Sequence, residues 1–563
     1  MRAGNGAMLA LATALLAGCA QTGAPTARPA AVAAPPYYGT TEPFAAEAVY
    51  FVVTDRFVNG DESNDQRAQG GAHPSFDIPI AGPDGRSDNI GYLGGDFKGI
   101  VDHLDYIKDM GFGAVWITPI IDNPDQAFTG GTPATWGSMW TDQGKTGYHG
   151  YWGVNFYRLD EHLPSAGLDF AGFTAALHAK DVKVVLDIVA NHGSPAFTMP
   201  VAQPQYGQIF DADGELVADQ QNLPPDQLDP GYNPLHRFYN RKSDLAQLSD
   251  LREDSPEVMD YLIGAYLQWI GQGADAFRID TVSLMPGEFW DRFTARIREK
   301  HPGYFMFGEV FDYDAAKIAA YTQPGGGSIS VLDFPLKQQL ARVFGREGGD
   351  YALLGPALFL DGGPYRNPYE LMTFYDNHDM ARLDASDAGF IDAHHWLFTA
   401  RGIPVVYYGS EIGFERGSPE LAGNRNYFGT EGIAAARAHP IRAALARIAK
   451  VRANSPALQR GLQVNVALAG DLAAFYRVYQ REGASQIALV LLNKGDAAAD
   501  FEVSAMLEPG IWTPALDGDA VTVGTGGSLR ASVPAHGAQV YLHAGPVTRS
   551  DLAAQLSRQM VAR

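Results

Sequence analysis

Apolar runs of strand length alternate with helix-like segments along most of the chain. The run at 48–57, AVYFVVTDRF, is rich in β-branched and aromatic residues, which is typical of a strand. Apolar positions at helical spacing occupy 97–110, Gly111 ends them, and a second apolar run follows at 114–120. The same order of helix and then strand recurs at 170–191, 258–280 and 288–310. Such repeated units predict a parallel sheet with helices packed outside it.

The number of strand-like runs favours one architecture. They centre near residues 50, 114, 183, 275, 305, 330, 371 and 404. Eight parallel strands, each followed by a helix, close into a (β/α)8 TIM barrel. The pattern therefore predicts an α/β fold with such a barrel at its centre.

Two segments interrupt the alternation. Residues 193–250 are rich in Pro, Gln, Asp and Asn with little periodicity, which indicates a domain inserted after the third strand. Short runs of alternating polarity predict a C-terminal antiparallel β-sandwich over 455–548. The barrel is thus predicted in two parts, 46–192 and 251–454, and residues 549–563 suit a short terminal helix.

The first 45 residues have a different composition from the rest. Residues 7–17 form an apolar run that is shorter than the roughly 20 residues needed to span a bilayer. A run of this length is typical of a signal peptide, which we predict over 1–18. The Ala-, Pro- and Thr-rich stretch that follows predicts a flexible tether over 19–45.

The only cysteine of the chain, Cys19, stands directly after this predicted signal peptide. The sequence Leu16-Ala17-Gly18-Cys19 resembles the lipobox of bacterial lipoproteins, in which the cysteine becomes the lipid-modified first residue of the mature chain. The resemblance implies an exported protein held on a bacterial membrane by its lipid, and Ala20 suits the outer membrane of a Gram-negative cell. The alternative is an ordinary signal peptide with a chance cysteine.

Composition and charge exclude several classes of protein. Hydrophobic residues make up 46% and charged residues only 19% of the 563 residues, which argues against wholesale disorder. The net charge of −22 repels phosphate backbones and disfavours nucleic acid as a partner. A single cysteine excludes an internal disulfide and a cysteine-based zinc site.

Polar residues cluster where the predicted barrel strands end. These residues are Asp187, Asn191, His192, Arg278, Asp280, Glu309, His378 and Asp379. The C-terminal ends of barrel strands converge on one face, so side chains that are far apart in sequence can meet there. We therefore expect these residues to line one pocket.

Two of the acids have surroundings that suit different chemical roles. Arg278 lies two residues before Asp280 and points to the same side of a strand, so its charge would keep that carboxylate ionised. Glu309 follows an apolar run, and apolar surroundings raise a carboxyl pKa. An ionised nucleophile beside a protonated acid is the apparatus of retaining glycoside hydrolysis. The alternative is that these acids pair with arginines for stability.

Five motifs carry a resemblance to the α-amylase family, glycoside hydrolase family 13. They are YHGYW at 148–152, DIVANH at 187–192, GADAFRID at 273–280, FGEV at 307–310 and YDNHD at 375–379. The resemblance extends over about residues 48 to 545. It implies a catalytic barrel, a B domain inserted after strand three, and a C-terminal sandwich.

The resemblance also implies a role for each matching residue. Asp280 would be the nucleophile, Glu309 the general acid and base, and Asp379 the acid that stabilises the transition state. The residues expected to bind substrate are His149, Tyr151, His192, Arg278 and His378. Tyr151 would stack on the sugar at the cleavage subsite.

The activity that these matches imply is retaining hydrolysis of α-1,4-glucosidic bonds in starch, glycogen or maltooligosaccharides. Maltogenic or cyclomaltodextrin-degrading hydrolysis, α-glucosidase action and transglycosylation remain alternatives within the same family. A non-catalytic glycan-binding lipoprotein is a distant alternative, because all three catalytic acids are present.

A second group of oxygen-bearing residues lies in the first long loop. Clustered Asp and Asn oxygens with a backbone carbonyl suit calcium, which takes 6–8 oxygen ligands, although a polar turn has the same composition. The segment resembles the first-loop calcium site of cyclodextrin glucanotransferases. By that match, one structural calcium would be held by Asn59, Asp61, Asn64, Asp65, Gly94 and Asp96.

The chain also departs from the family pattern. Thr281 to Leu284 stand where many α-amylases carry Lys-His after the nucleophile, and Gln247 stands where the family places an Asp. Of the family's second calcium site, between barrel and B domain, only Asn191 is recognisable, so that calcium is not expected. Phe311 matches an acceptor-site aromatic of the glucanotransferases, and packing is an equal explanation for it.

Overall fold

The computed structural model describes residues 37–481 and 483–559. The predicted signal peptide, Cys19 and the first part of the predicted tether lie outside these residues. The described chain forms one compact unit from residue 37 onward. Among the described residues, no helix is both long and apolar enough to cross a bilayer.

Eight parallel strands form the predicted barrel. They are Val49–Val52, Ala114–Ile117, Lys183–Ile188, Ala276–Ile279, Phe305–Gly308, Ser330–Val331, Met372–Thr373 and Ile403–Tyr407. The first strand pairs with the eighth, with Val49 opposite Val405, and a bridge between Leu332 and Met372 joins the sixth strand to the seventh. All eight strands lie at the predicted positions, so the predicted TIM barrel is confirmed.

Helices cover the outside of the barrel. The longer ones are Phe97–Asp102, Leu104–Asp109, Phe170–His178, Pro256–Gly271, Gly287–Lys300, Phe334–Phe344, Asp387–Thr399, Gly429–Ala436 and Pro440–Ala453. Shorter helices are Thr54–Phe57, Ala315–Ala319 and Pro456–Arg460. The helix Pro256–Gly271 shows why they form: the Ser255 side chain accepts from the Val258 N–H, and its apolar face is buried.

The inserted segment is built from short strands. His192–Pro195 pairs antiparallel with Leu248–Asp250, so the two ends of the segment lie side by side. Between them, Gln208–Phe210 and Leu216–Asp219 form a hairpin. This hairpin joins Ile121–Asp122 and Asn155–Leu159 in a four-stranded sheet.

A further hairpin, Pro79–Ala81 with Ser87–Asn89, lies in the first long loop.

The C-terminal region forms two antiparallel sheets, as predicted. The larger sheet contains Leu462–Ala469, Leu472–Arg481, Ala484–Asn493, Gly537–Ala544, Gly510–Pro514 and Val521–Val523. The smaller sheet contains Ala499–Val503 and Leu529–Val533. One apolar cluster around Trp512 contains residues of both sheets, and the helix Ser550–Leu556 also packs into it.

The folded body begins earlier than the predicted tether allows. Tyr38 pairs with Gln480 through two backbone hydrogen bonds of 2.9 Å. The short helix Pro43–Ala46 follows and buries Phe44. The prediction of a flexible tether up to residue 45 is therefore wrong for its last eight residues, from 38 to 45. Composition missed this contact because its partner strand lies more than 400 residues away.

Candidate active site

The polar residues predicted at the strand ends lie at one end of the barrel. Arg278 is in the fourth strand and Asp280 directly follows it. Glu309 directly follows the fifth strand, and His378 and Asp379 lie shortly after the seventh. Because the C-terminal ends of parallel barrel strands share one face, the fold brings these side chains within contact distance.

The Arg278 guanidinium lies at the centre of the group. It is fully buried, and its Nη1 donates to Asp187 Oδ1 at 2.9 Å and to Asp280 Oδ1 at 2.8 Å. Its Nη2 lies 2.9 Å from Glu309 Oε2. One permanent cation therefore contacts all three buried carboxyl groups and offsets the cost of burying them.

Tyr151 and His378 connect this group to Asp379. The Tyr151 hydroxyl donates to Asp187 Oδ2 at 2.8 Å and lies 2.8 Å from His378 Nε2. His378 Nε2 also lies 3.2 Å from Asp379 Oδ2. Burial lowers the pKa of His378 well below its usual value, so the ring is neutral. Because the Tyr151 hydroxyl gives its proton to Asp187, it accepts from His378, which assigns the single ring proton to Nε2.

Arg425 is a member of the site that the motifs did not reveal. Its Nη2 donates to Asp379 Oδ1 at 2.8 Å, and its Nε donates to the His378 carbonyl at 3.0 Å. It lies 46 residues after Asp379, outside every motif quoted above. The guanidinium holds Asp379 at the rim of the pocket, where the carboxylate stays partly exposed.

Burial shifts the pKa values of two of the acids, Glu309 and Asp187. It raises the pKa of Glu309 well above its usual value, Arg278 opposes this rise, and the nearby Asp379 and Asp280 add to it. Glu309 Oε1 is buried without a hydrogen-bond partner in the described structure. Burial also raises the pKa of Asp187 to about 7, again against Arg278. The raised pKa of Glu309 favours its protonated form, which is the form that a general acid needs.

The two other histidines expected to bind substrate are also buried. His149 Nδ1 accepts from the Tyr151 N–H at 3.1 Å, and burial lowers its pKa well below the usual value. His192 Nδ1 lies 3.2 Å from Asn191 Oδ1, and burial lowers its pKa against the opposing charge of Asp280. Both rings are neutral at pH 7, so they can hydrogen-bond sugar hydroxyls without adding charge.

The backbone directly after Asp280 adopts a conformation that is rare for its residue type. Thr281 has φ 45°, in the left-handed region that favours glycine. This β-branched residue begins the segment from Thr281 to Leu284, which departs from the family pattern. Strain of this kind persists where the surrounding structure enforces it, and it clusters at functional sites.

The residues predicted to bind calcium lie together in the first loop. Asn59 Nδ2 donates to Asp65 Oδ1 at 2.7 Å, and Asn64 Nδ2 donates to Asp96 Oδ2 at 3.1 Å. The side-chain Oδ1 atoms of both asparagines are buried without a hydrogen-bond partner in the described structure. A Cβ on Gly94 would lie only 2.3 Å from Asn59 Nδ2 and from Asp65 Oδ1. Unpaired buried oxygens around a backbone that approaches this closely fit a hard cation.

A second acidic group was not predicted. Oxygens of Asp122, Asp160 and Glu161 lie within 4.8 Å of one another. Burial, together with the charges of Asp160 and Glu161, raises the pKa of Asp122 to about 9. A proton on Asp122 would relieve the repulsion among these three carboxyl groups at neutral pH.

The chain belongs to the α-amylase family, because the family's catalytic-domain model matches residues 51–426. Among curated proteins it is 28% identical to a cyclomaltodextrin glucanotransferase of Klebsiella oxytoca, over 85% of this chain and 75% of that one. It is 29% identical to an α-amylase of Streptomyces lividans, over 81% of this chain and 57% of that one. The chain thus covers little more than half of that amylase.

Solved structures show the same relationship over a longer part of each chain. An Anoxybacillus α-amylase is 26% identical with a TM-score of 0.66, over 90% of this chain and 99% of that one. A cyclomaltodextrin glucanotransferase with a three-domain ABC distribution is 28% identical with a TM-score of 0.69, over 89% of this chain and 99% of that one. The similarity therefore includes both hydrolases and transferases.

Proposed function

We propose that this protein is a retaining glycosidase that hydrolyses α-1,4 bonds of starch, glycogen or maltooligosaccharides. One observation carries the proposal: a buried Arg278 contacts both Asp280 and Glu309, with Asp379 joined to the same group through His378 and Tyr151. An ionised carboxylate and a protonated one in a single pocket are what double displacement requires.

The first step forms a covalent glucosyl-enzyme. Asp280 Oδ1 is held by Arg278, and Oδ2 makes no hydrogen bond in the described structure, so Oδ2 is free to attack the anomeric carbon. The bond between that carbon and the bridging oxygen breaks as Glu309 gives its proton to the departing oxygen. Asp379 and the stacked ring of Tyr151 would stabilise the positive charge that develops on the sugar.

The second step releases the sugar. Glu309, now ionised, takes a proton from a water molecule, whose oxygen attacks the anomeric carbon and breaks the ester to Asp280. A sugar hydroxyl in place of this water gives transglycosylation. Phe311, which matches an acceptor-site aromatic of the glucanotransferases, supports that second activity. Its ring centre lies 5.1 Å from that of Phe334, yet the residue is still 53% exposed, two residues after Glu309.

Product analysis on soluble starch tests the proposal. Hydrolysis gives mixed linear maltooligosaccharides, transglycosylation gives cyclic or lengthened products, and exo-action gives one short product. Activity confined to cyclodextrins or maltotriose would assign a narrower hydrolase. A purified, folded protein with no activity on any α-glucan would refute the proposal and favour a binding protein.

We further propose one structural calcium, held by Asn59, Asp61, Asn64, Asp65, Gly94 and Asp96. Bound there, the ion would neutralise the acidic oxygens and tie the first loop to the barrel. Calcium at 100 times its Kd should stabilise the fold by about 2.7 kcal/mol, because it binds only the folded state. The measurement is thermal unfolding with excess calcium and with a chelator.

Two variants make the calcium test specific. Asp65→Asn should lose most of the calcium-dependent shift in Tm. Asp102→Asn should keep it, because Asp102 is an exposed acid whose ion pair within the described residues is with Lys98. If calcium raised the Tm of Asp65→Asn as much as that of the wild type, the ion would not bind in this loop.

We also propose that the protein is exported and anchored through a lipid on Cys19, a proposal that rests on the sequence alone. Cys19→Ser in an expressing bacterium should move the protein from the membrane fraction to the soluble exported fraction. It should also abolish labelling by a radioactive fatty acid. Cleavage at another position with no labelling of the wild type would indicate an ordinary signal peptide.

A further inference from the structure

A loop on the rim of the barrel presents two large apolar side chains to solvent. The Trp140 loop, residues 133–143, is closed by a bridge between Pro133 and Gln143. Met139 is 69% exposed and Trp140 is 70% exposed. A tryptophan normally buries most of its surface, and exposed apolar patches mark ligand-binding sites on monomeric proteins.

The two tryptophans of this loop differ in their surroundings. Trp136 packs among Ile80, Ile90 and Leu421, and the Arg86 guanidinium lies 5.0 Å from its ring centre. Trp140 takes part in no aromatic pair, cation–π contact or apolar cluster of the described structure. Trp136 thus anchors the loop, while the Trp140 ring remains free for a ligand.

The loop holds Trp140 in place despite an unfavourable backbone. Trp140 has φ 58°, which side-chain-bearing residues rarely adopt. Ser138 Oγ bonds to the Thr135 carbonyl at 2.7 Å and to Thr141 Oγ1 at 2.6 Å, so the turn is tied on both sides of Met139. A strained, exposed aromatic in a tied turn indicates function.

Contacts connect this loop to the catalytic acids. The Gly137 N–H donates to the Leu421 carbonyl at 2.6 Å. Glu420, the residue before Leu421, lies 3.7 Å from Lys145 Nζ and 3.3 Å from Arg425 Nη2. Arg425 in turn holds Asp379. The loop is therefore fixed to the same segment that forms the rim of the pocket.

We propose that the Trp140 loop binds the α-glucan chain outside the catalytic pocket, with the Trp140 ring against the face of a glucose unit. A glucose ring has an apolar C–H face, which matches the exposed face of the Trp140 indole. The ligand is uncharged, which suits a protein of net charge −22 better than an anionic membrane or polymer. This inference rests on the proposed function and adds to it a preference of the enzyme for long α-glucan chains.

The test compares Trp140→Ala with a control, Tyr232→Ala, which removes an aromatic that is 89% exposed in the inserted segment. Trp140→Ala should lower the ratio of kcat/KM on amylose to kcat/KM on maltotriose by about tenfold, through KM. Trp140→Phe should keep most of the ratio, because a flat apolar ring remains. Tyr232→Ala should leave the ratio unchanged.

Binding measured without turnover separates this inference from the proposed function. In an Asp280→Asn background, retardation of the protein in gels that contain glycogen should be weaker with Trp140→Ala. An unchanged ratio and unchanged retardation would overturn the inference while the hydrolase assignment stands. Self-association or vesicle binding that is lost in Trp140→Ala, with glycogen retardation intact, would assign the loop to a second copy or to lipid instead.

Discussion

Replacement of Asp280 by asparagine is expected to lower kcat on starch by on the order of 10⁴-fold. The amide keeps the shape of the side chain and can still accept from Arg278, but it is a far weaker nucleophile than a carboxylate. Without a covalent intermediate, only the oriented acid and bound substrate remain to accelerate the reaction. Steady-state rates with the purified variant, followed by reducing-end release, measure the loss.

The fold of the variant has to be checked separately, because Asp280 is a buried partner of Arg278. Breaking such a pair costs stability, so Tm and maltooligosaccharide binding should be recorded beside the rate. Binding that persists while turnover disappears assigns the loss to chemistry. A variant that binds and still turns over starch within about tenfold of the wild type would exclude Asp280 as the nucleophile.

Glu309→Gln is expected to lower kcat on starch by about 10³-fold, within the range that a positioned general acid contributes. The loss should be smaller for release of fluoride from α-maltosyl fluoride, since fluoride leaves without a proton. This dependence on the leaving group distinguishes a proton donor from a residue that only supports the fold. Parallel assays on the two substrates measure it.

The pH profile gives an independent check on Glu309. Its folded pKa is raised by burial, so the protonated form needed for attack on starch persists to higher pH than in an ordinary glutamate and is lost as pH rises through that pKa. Activity on starch should therefore fall on the alkaline side in the wild type. Glu309→Gln has no such proton to lose, and its residual activity should lack this alkaline limb. An identical limb in both proteins would assign the titration to another group.

Periodicity along the chain was enough to predict the barrel. Each barrel strand is a short apolar run after a helical segment, and this pattern depends only on neighbouring residues. The acids were predictable for the same reason, because a carboxyl group directly after a buried strand is costly unless it has a purpose. Asp280 and Glu309 are both of this kind.

Contacts between distant segments were not predictable from such patterns. Arg425 pairs with Asp379 from a loop that has neither periodicity nor a motif. Tyr38 pairs with a C-terminal strand, although the residues before it have the composition of a tether. In both cases the partner is chosen by three-dimensional packing, to which local composition is insensitive.

The exposure of Trp140 was likewise not predictable from local sequence patterns. Trp136 and Trp140 are the same residue type four positions apart, yet one packs against Leu421 and the other is 70% exposed. Trp136 is partly buried because the first long loop and Leu421 pack against it, whereas no apolar cluster of the described residues includes Trp140.

By itself, the sequence determined the class of fold and the chemistry available at the strand ends, since both follow from local patterns of apolar and acidic residues. Only the tertiary structure decided how that chemistry is arranged. It placed Asp280 and Glu309 on one guanidinium, linked Asp379 to them through neutral His378, and left Trp140 exposed. These arrangements depend on burial and on long-range contacts, which exist only once the barrel has closed.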